Sequence, residues 1–157
     1  MPRPFARPYL DSSVYIAAIL GESAEPGKSD ISSQILELGR TGRFPVLAST
    51  FVFAEVIHDR TRDALDPDQE SIIDEYLTQD FITWVEVDLP IAKKARSLSR
   101  FYGLKPVDAI HLASAIRAKC DQFLTWDESD FTDGTEIEGI HIHRPHLTEL
   151  PVQLPGT

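Results

Sequence analysis

The chain has a single cysteine, Cys120, so it can form no intrachain disulfide, and a reducing compartment is its natural setting. A lone thiol at the end of a predicted helix, beside charged residues, reads as inert rather than catalytic. Long apolar runs are missing too. The longest, Val14–Leu20, is much too short to cross a bilayer. The opening MPRPFARPYL contains prolines and arginines but no apolar stretch followed by a cleavage site, so no signal peptide is expected and the expected location is the cytoplasm.

Positive charge is also scarce: 15 Lys and Arg stand against 25 Asp and Glu, a net charge of −10. That balance argues against a polyanionic partner, because phosphate backbones are held mainly by Lys and Arg. The distribution of charge along the chain points the other way. Between Leu89 and Lys119 the basic residues are Lys93, Lys94, Arg96, Arg100, Lys105, Arg117 and Lys119, and the one acid is Asp108. This stretch carries +6 and the rest of the chain −16. It reads either as a local phosphate-binding face or as a solvated helix face.

With 157 residues, 42% of them apolar, the chain fits one domain with its own core. The expected single domain is 1–157, with a core at about 8–146 and a tail, 147–157, that lacks a core-forming period. Tyr9–Leu10 reads as the end of a strand, followed by Asp11, the capping candidates Ser12 and Ser13, and a helix. Ile31, Ile35 and Leu38 recur at helical spacing, and Phe44–Ala48 reads as a second strand. Ser49 and Thr50 are capping candidates for a helix that carries Glu55 on its second turn.

Pro67–Gln79 reads as a further helix and Phe81–Val87 as a strand. Ile91–Tyr102 is an amphipathic helix, with Ile91, Ala95, Leu98 and Tyr102 on one face and Lys93, Arg96 and Arg100 on another, closed by Gly103. Pro106 opens the next helix and places Asp108 in its first turn. Gln122–Thr125 and Gly139–Arg144 are the last strands. Strands alternating with helices of this length predict an α/β chain, a three-layer α/β/α sandwich with a mostly parallel sheet. Ligands in such sheets sit beyond the carboxyl ends of strands, where Asp11 and Asp127 fall.

Most of the acids are expected to be solvated surface residues. Four need another explanation. Asp11 ends an apolar strand, Glu55 sits among Phe51, Val52, Phe53, Ala54 and Val56, Asp108 lies in PVDAIHLASAI, and Asp127 follows FLTW. Converging carboxylates repel one another by about 4 kcal/mol per pair at roughly 4 Å and an effective dielectric of about 20. Cations relieve that repulsion, and hard oxygen ligands select Mg²⁺ or Mn²⁺. The chemistry such a cluster supports is phosphodiester hydrolysis.

In order and context, YLDSSV, FAEV, the GLKPVDAIHLASA block and LTWDESDF resemble the successive acidic motifs of PIN-domain nucleases, especially the VapC toxins of prokaryotic toxin–antitoxin pairs. The resemblance runs from Tyr9 to about Arg144, and its third block is the most specific. It implies a PIN-like fold, divalent-metal-dependent endoribonuclease activity, an RNA substrate, a neutralising antitoxin and a homodimer. By resemblance, Asp11, Glu55, Asp108 and Asp127 are the catalytic, metal-holding acids. The fourth block also contains Glu128 and Asp130, which leaves open whether Asp127 acts alone or Asp130 shares or replaces its role.

Around these acids, Ser12, Ser13 and Thr125 can orient carboxylates or a metal-bound water, and helix capping explains the serines equally well. His111 and His58 stand three residues after Asp108 and Glu55, but structural hydrogen bonding suits them better than ligation of a hard cation. His141 and His143 read as surface residues. Phe51, Phe53, Trp84, Phe101, Phe123 and Trp126 read as core. The stripe Lys93, Arg96 and Arg100 is the expected RNA contact. Competing functions are a nuclease of RNA processing or of DNA, and a binding module without catalysis. A receiver-type phosphotransfer site would need a second Asp two residues after the nucleophile, where Ser13 stands.

Overall fold

The computed structural model describes residues 7–21, 25–56 and 67–147. The chain runs β1 (Pro8–Leu10), α1 (Ser12–Leu20), α2 (Ser29–Arg40), β2 (Val46–Ser49), α3 (Val52–Glu55), α4 (Pro67–Leu77), β3 (Ile82–Val85), α5 (Leu89–Tyr102), α6 (Pro106–Arg117), β4 (Gln122–Leu124), β5 (Glu136–Ile137) and β6 (Ile140–His143). Strand order is β1-β4-β6-β5 in one sheet and β2-β3 in a second. The pairs β1–β4, β4–β6 and β2–β3 are parallel; β5–β6 is antiparallel. β2 lies alongside β1, and the main-chain N–H of Ser49 donates to the Tyr9 hydroxyl at 3.1 Å.

Alternation along the strands divides the core into two layers. Leu10, Val46, Ala48 and Leu124 face α1, α2 and α4, where Tyr15, Ile35, Leu36, Ile73 and Leu77 meet them. Tyr9, Leu47, Phe123, Ile140 and Ile142 face α5 and α6, where Ile91, Leu98, Ala109 and Leu112 meet them. The three-layer α/β/α arrangement follows. Gly39 lets α2 approach β2, since a Cβ there would collide with Val46 and Phe44.

α5 has the predicted amphipathic form: Asp88 caps it by accepting from Ile91 N–H at 3.1 Å, and Gly103 ends it at φ 71°. α6 is buried on most sides because α5 covers one flank and the sheet the other.

Four local expectations are corrected. The second strand begins at Val46, after Pro45, not at Phe44. Glu55 ends a one-turn helix and so has no second turn to occupy. The short strand β5 was not foreseen; it joins β6 through Glu138 and Gly139, both at positive φ, in a two-residue turn without the Asn-Gly or Asp-Gly signal. Phe53 and Phe101 are 45% and 80% exposed, so they are not core, and Tyr102, at the last turn of α5, is 39% exposed rather than buried with Ile91, Ala95 and Leu98. Phe53 instead packs on Trp84, ring centroids 4.7 Å apart. His58 and residues 148–157 of the tail lie outside the described residues.

Candidate active site

β1 and β4 are neighbours in register, Leu10 beside Leu124, so the residues that follow them emerge together at one sheet edge. Asp11 is the first of these, and its N–H donates to Leu124 O at 3.0 Å. α3 brings Glu55 to the same edge and the first turn of α6 brings Asp108. The carboxylates of Asp11, Glu55, Asp108 and Asp127 line one cleft of about 260 Å³. These four positions, scattered across the sequence, are therefore brought together.

Asp11 is buried, 3% exposed. Its Oδ2 accepts from Thr125 Oγ1 at 2.7 Å and from Ser13 Oγ at 3.1 Å. Its Oδ1 is buried without a hydrogen-bond partner, 3.7 Å from His111 Nε2. The capping reading of the serines is corrected. α1 has no side-chain cap, Ser12 Oγ donates to Glu55 Oε2 at 2.9 Å, and Ser13 serves Asp11 while accepting from Trp126 N–H at 3.0 Å. Thr125, fully buried, also accepts from Asp127 N–H at 3.0 Å.

His111 is fully buried between Tyr9, with Nδ1 2.8 Å from the hydroxyl, and Glu55, with Nε2 2.5 Å from Oε1. A carboxylate only accepts, so Nε2 carries the proton. In the neutral ring the Tyr9 hydroxyl donates to Nδ1; in the cation Nδ1 donates to Tyr9. Burial lowers the imidazole pKa, but the charge of Asp11 and the hydrogen bond and charge of Glu55 outweigh it, leaving it above the ordinary 6.5. His111 thus has the structural role expected of it, with Glu55 as its partner.

Asp108 is half-buried. Burial first, then its hydrogen bond with Asp130 and the charges of Asp11, Asp127 and Asp130, push its carboxyl up to about 9. At neutral pH it holds a proton and donates it. Asp130 in turn accepts from Lys105 N–H at 2.7 Å, and the hydrogen bond from Asp108 is the main cause of its lowered pKa. Asp127 resists the upward push of burial through hydrogen bonds from the Ser129 hydroxyl and N–H, and its pKa is lowered. Of the two, Asp127 lines the cleft, while Asp130 accepts a hydrogen bond from Asp108.

Among the described residues, no three His, Cys, Asp or Glu side chains already stand grouped as a metal site. Each acid is tied to the protein instead: Glu55 to His111 and Ser12, Asp108 to Asp130, and Asp127 to Ser129.

Two contributors escaped the sequence reading. The Arg144 guanidinium donates to Thr125 O at 2.8 Å, to Asp127 O at 2.5 Å and to Phe131 O, cross-bracing the loop that carries Asp127 and Asp130. Lys28 lines the carboxylate cleft. Neither has a local sequence signal, since both act on segments distant in the chain.

The stripe Lys93, Arg96 and Arg100 lies elsewhere. With Ser97 and the exposed Phe101 it lines a separate cleft of about 360 Å³ on the outer face of α5. Two other basic residues of that region are paired, Lys94 with Glu138 at 2.7 Å and Arg117 with Asp88 at 2.6 Å. No described helix is long and apolar enough to cross a membrane.

Comparison with known proteins adds three findings. A family model described as the PIN domain matches residues 9–134. None of the curated proteins matches the chain in sequence. Several solved structures share the fold. A toxin–antitoxin complex from Klebsiella pneumoniae has TM-score 0.63 at 19% identity, over 90% of this chain and 98% of that one. VapBC2 from Rickettsia felis, bound to a DNA fragment from their promoter, has TM-score 0.61 at 14% identity, over 87% and 97%. Mycobacterium tuberculosis VapC20, described as a sarcin-ricin loop cleaving toxin, has TM-score 0.58 at 16% identity, over 78% and 91%. At such identities the likeness is one of fold.

Proposed function

The chain belongs to the PIN-domain family, and on that premise we propose that it is a divalent-metal-dependent endoribonuclease, the toxin of a type II toxin–antitoxin pair. The observation that carries the reading is the buried Asp11 Oδ1, which has no hydrogen-bond partner at the edge where Glu55, Asp108 and Asp127 also meet. An unpartnered buried carboxylate oxygen is costly unless a cation takes it. The donor set is all oxygen, which fits Mg²⁺ or Mn²⁺.

In this reading Asp11, Glu55, Asp108 and Asp127 would hold the metal and are the catalytic acids, with Asp130 as the alternative fourth. When bound, the ion supplies Lewis acidity toward water and offsets charge that develops on the phosphate. The chain's own groups prepare the site. Thr125 and Ser13 fix one oxygen of Asp11 and leave the other without a hydrogen-bond partner. His111 and Ser12 hold the two oxygens of Glu55. Asp108 must give up its proton to act as a ligand, which its neighbours' charges oppose until a cation arrives.

Lys93, Arg96 and Arg100 would carry the more distant phosphates of the RNA. The whole chain acts as one unit, in the cytoplasm, as a homodimer neutralised by its antitoxin. The resemblance of its motifs to VapC toxins, and a structural neighbour described as a toxin–antitoxin complex, support that partner.

The test is RNA cleavage by chelator-treated protein, with and without added Mn²⁺ or Mg²⁺, beside Asp11→Asn. Cleavage that depends on the added metal and is lost in the variant is expected. Full cleavage in excess chelator, or by Asp11→Asn, refutes the assignment.

A further inference from the structure

The carboxylate cleft has one lysine in its wall. Lys28, the residue before α2, lines it together with Asp11, Glu25, Glu55, Asp108 and Asp127. Among the described residues Lys28 has no ion pair; its ammonium lies over the Trp126 ring, 5.8 Å from the centroid. An exposed ion pair and an exposed cation–π contact are of similar small size, so the ring is an adequate resting place. The ring is also fixed. Its indole N–H donates to Ser32 Oγ at 2.9 Å, and the Trp126 main-chain N–H donates to Ser13 Oγ, the hydroxyl that also holds Asp11. The ammonium is therefore stationed at a set place relative to Asp11 without being neutralised by the acids around it.

A polyanionic strand entering this cleft meets carboxylates that repel it. It needs a cation that the acids have not already consumed, and Lys28 is positioned to be one. α2, which starts at Ser29 without a side-chain cap, adds the positive end of its dipole behind the lysine.

Resting on the nuclease reading above, we propose that Lys28 binds a phosphate of the RNA strand beside the one that is cut, with Trp126 holding the ammonium ready in the free protein. Lysine acts here as a point charge on a flexible stem, able to leave the ring for a phosphate oxygen. It is a substrate-positioning residue for this reaction, distinct in place from the α5 stripe.

The experiment uses the full chain with Mn²⁺. Binding is measured with a random-sequence RNA on proteins that also carry Asp11→Asn, in which cleavage is not expected, and turnover with the same RNA on proteins with Asp11 intact. Lys28→Ala should weaken binding and raise KM by about fivefold to tenfold, the size of one screened charge-assisted contact, with kcat changed by less than about twofold. The slope of log affinity against log salt should shrink by about 0.7, the loss of one phosphate contact to a single strand. Lys28→Arg should restore both quantities and Lys28→Gln neither. Trp126→Phe, which keeps a ring but loses the Ser32 anchor, should fall between wild type and Lys28→Ala.

The outcomes separate the two claims. If wild type cleaves and Lys28→Ala matches it in affinity, KM and salt slope, the Lys28 assignment is overturned while the nuclease reading stands. A fall in kcat alone overturns it in the same way. If wild type neither binds nor cleaves the RNA, both fail.

Discussion

Asp108→Asn replaces a carboxyl that must take up a proton on folding with a neutral group of almost the same shape. The carboxyl of Asp108 titrates at about 9 in the folded chain against an ordinary 3.8. Between those values the folded protein holds a proton that the unfolded chain has released. Raising pH therefore lowers stability across that window, and the loss is complete above about 9. In a dry site the gap would correspond to about 7 kcal/mol. The carboxyl is only half-buried, and water and counterions screen it, so about 2 kcal/mol is the expected size near pH 8. For a chain of this length that is a rise in Tm of about 4–8 °C for the asparagine variant. The gain should shrink toward zero as pH approaches 4, where both proteins are neutral at this position. The assay is thermal unfolding of wild type and variant in chelator at several pH values, with RNA cleavage in Mn²⁺ measured alongside. A variant that is less stable than wild type at pH 8, or equally displaced at every pH, refutes the account of proton uptake on folding; full cleavage by it refutes the site.

Mn²⁺ at about a hundred times its dissociation constant should stabilise the wild-type fold by about 2.7 kcal/mol, and Asp11→Asn should lose most of that gain, as read by metal titration of Tm. Asp127→Asn should reduce cleavage more than Asp130→Asn, because Asp127 lines the cleft; the opposite order in kcat assigns the fourth position to Asp130. Arg144→Ala removes bonds to three carbonyls and should cost about 2–4 kcal/mol in urea unfolding, with Arg144→Lys recovering only part; an unchanged midpoint shows that the loop does not need the brace. Replacing Lys93, Arg96 and Arg100 together by Ala should reduce the salt slope of RNA binding by up to about 2 while leaving the metal-induced Tm shift intact; an unchanged slope leaves the stripe a solvated face.

The strands and the acids were legible because each has a local signature. Leu10 and Leu124 end apolar runs, and the acids that follow them stand out against apolar neighbours. Asp108 is conspicuous for the same reason, in a helix otherwise almost without charge. The partners were not legible. His111 meets Tyr9 across 102 residues and Glu55 across 56, and periodicity cannot report which distant elements share a face. Arg144 reaches back 17 residues around a loop whose course depends on the β5–β6 turn, which itself carries a weak signal. Phe101 is different, because the pattern already contained the answer. Ile91, Ala95 and Leu98 define the buried face of α5, and position 101 falls beside Ser97 on its outer side, where hydrophobicity alone was a poor guide.

A cleft lined by acids must be stable before any metal arrives, and this chain meets that demand in three ways. Asp108 keeps its proton and gives it to Asp130 in a hydrogen bond, so one charge is never formed at neutral pH. His111, with its proton affinity raised by Asp11 and Glu55, is a buried counter-cation in reserve, and the Tyr9 hydroxyl suits either of its states because it can donate or accept. Asp11 and Asp127 receive hydroxyl and main-chain donors from Thr125, Ser13 and Ser129. Each device satisfies oxygens that a cation would otherwise hold. Asp11 Oδ1 is the oxygen they leave over. On the proposed function, a divalent ion loaded into the cleft would displace the Asp108 proton, so its affinity should rise with pH through the range in which Asp108 titrates, as read by metal titration at several pH values.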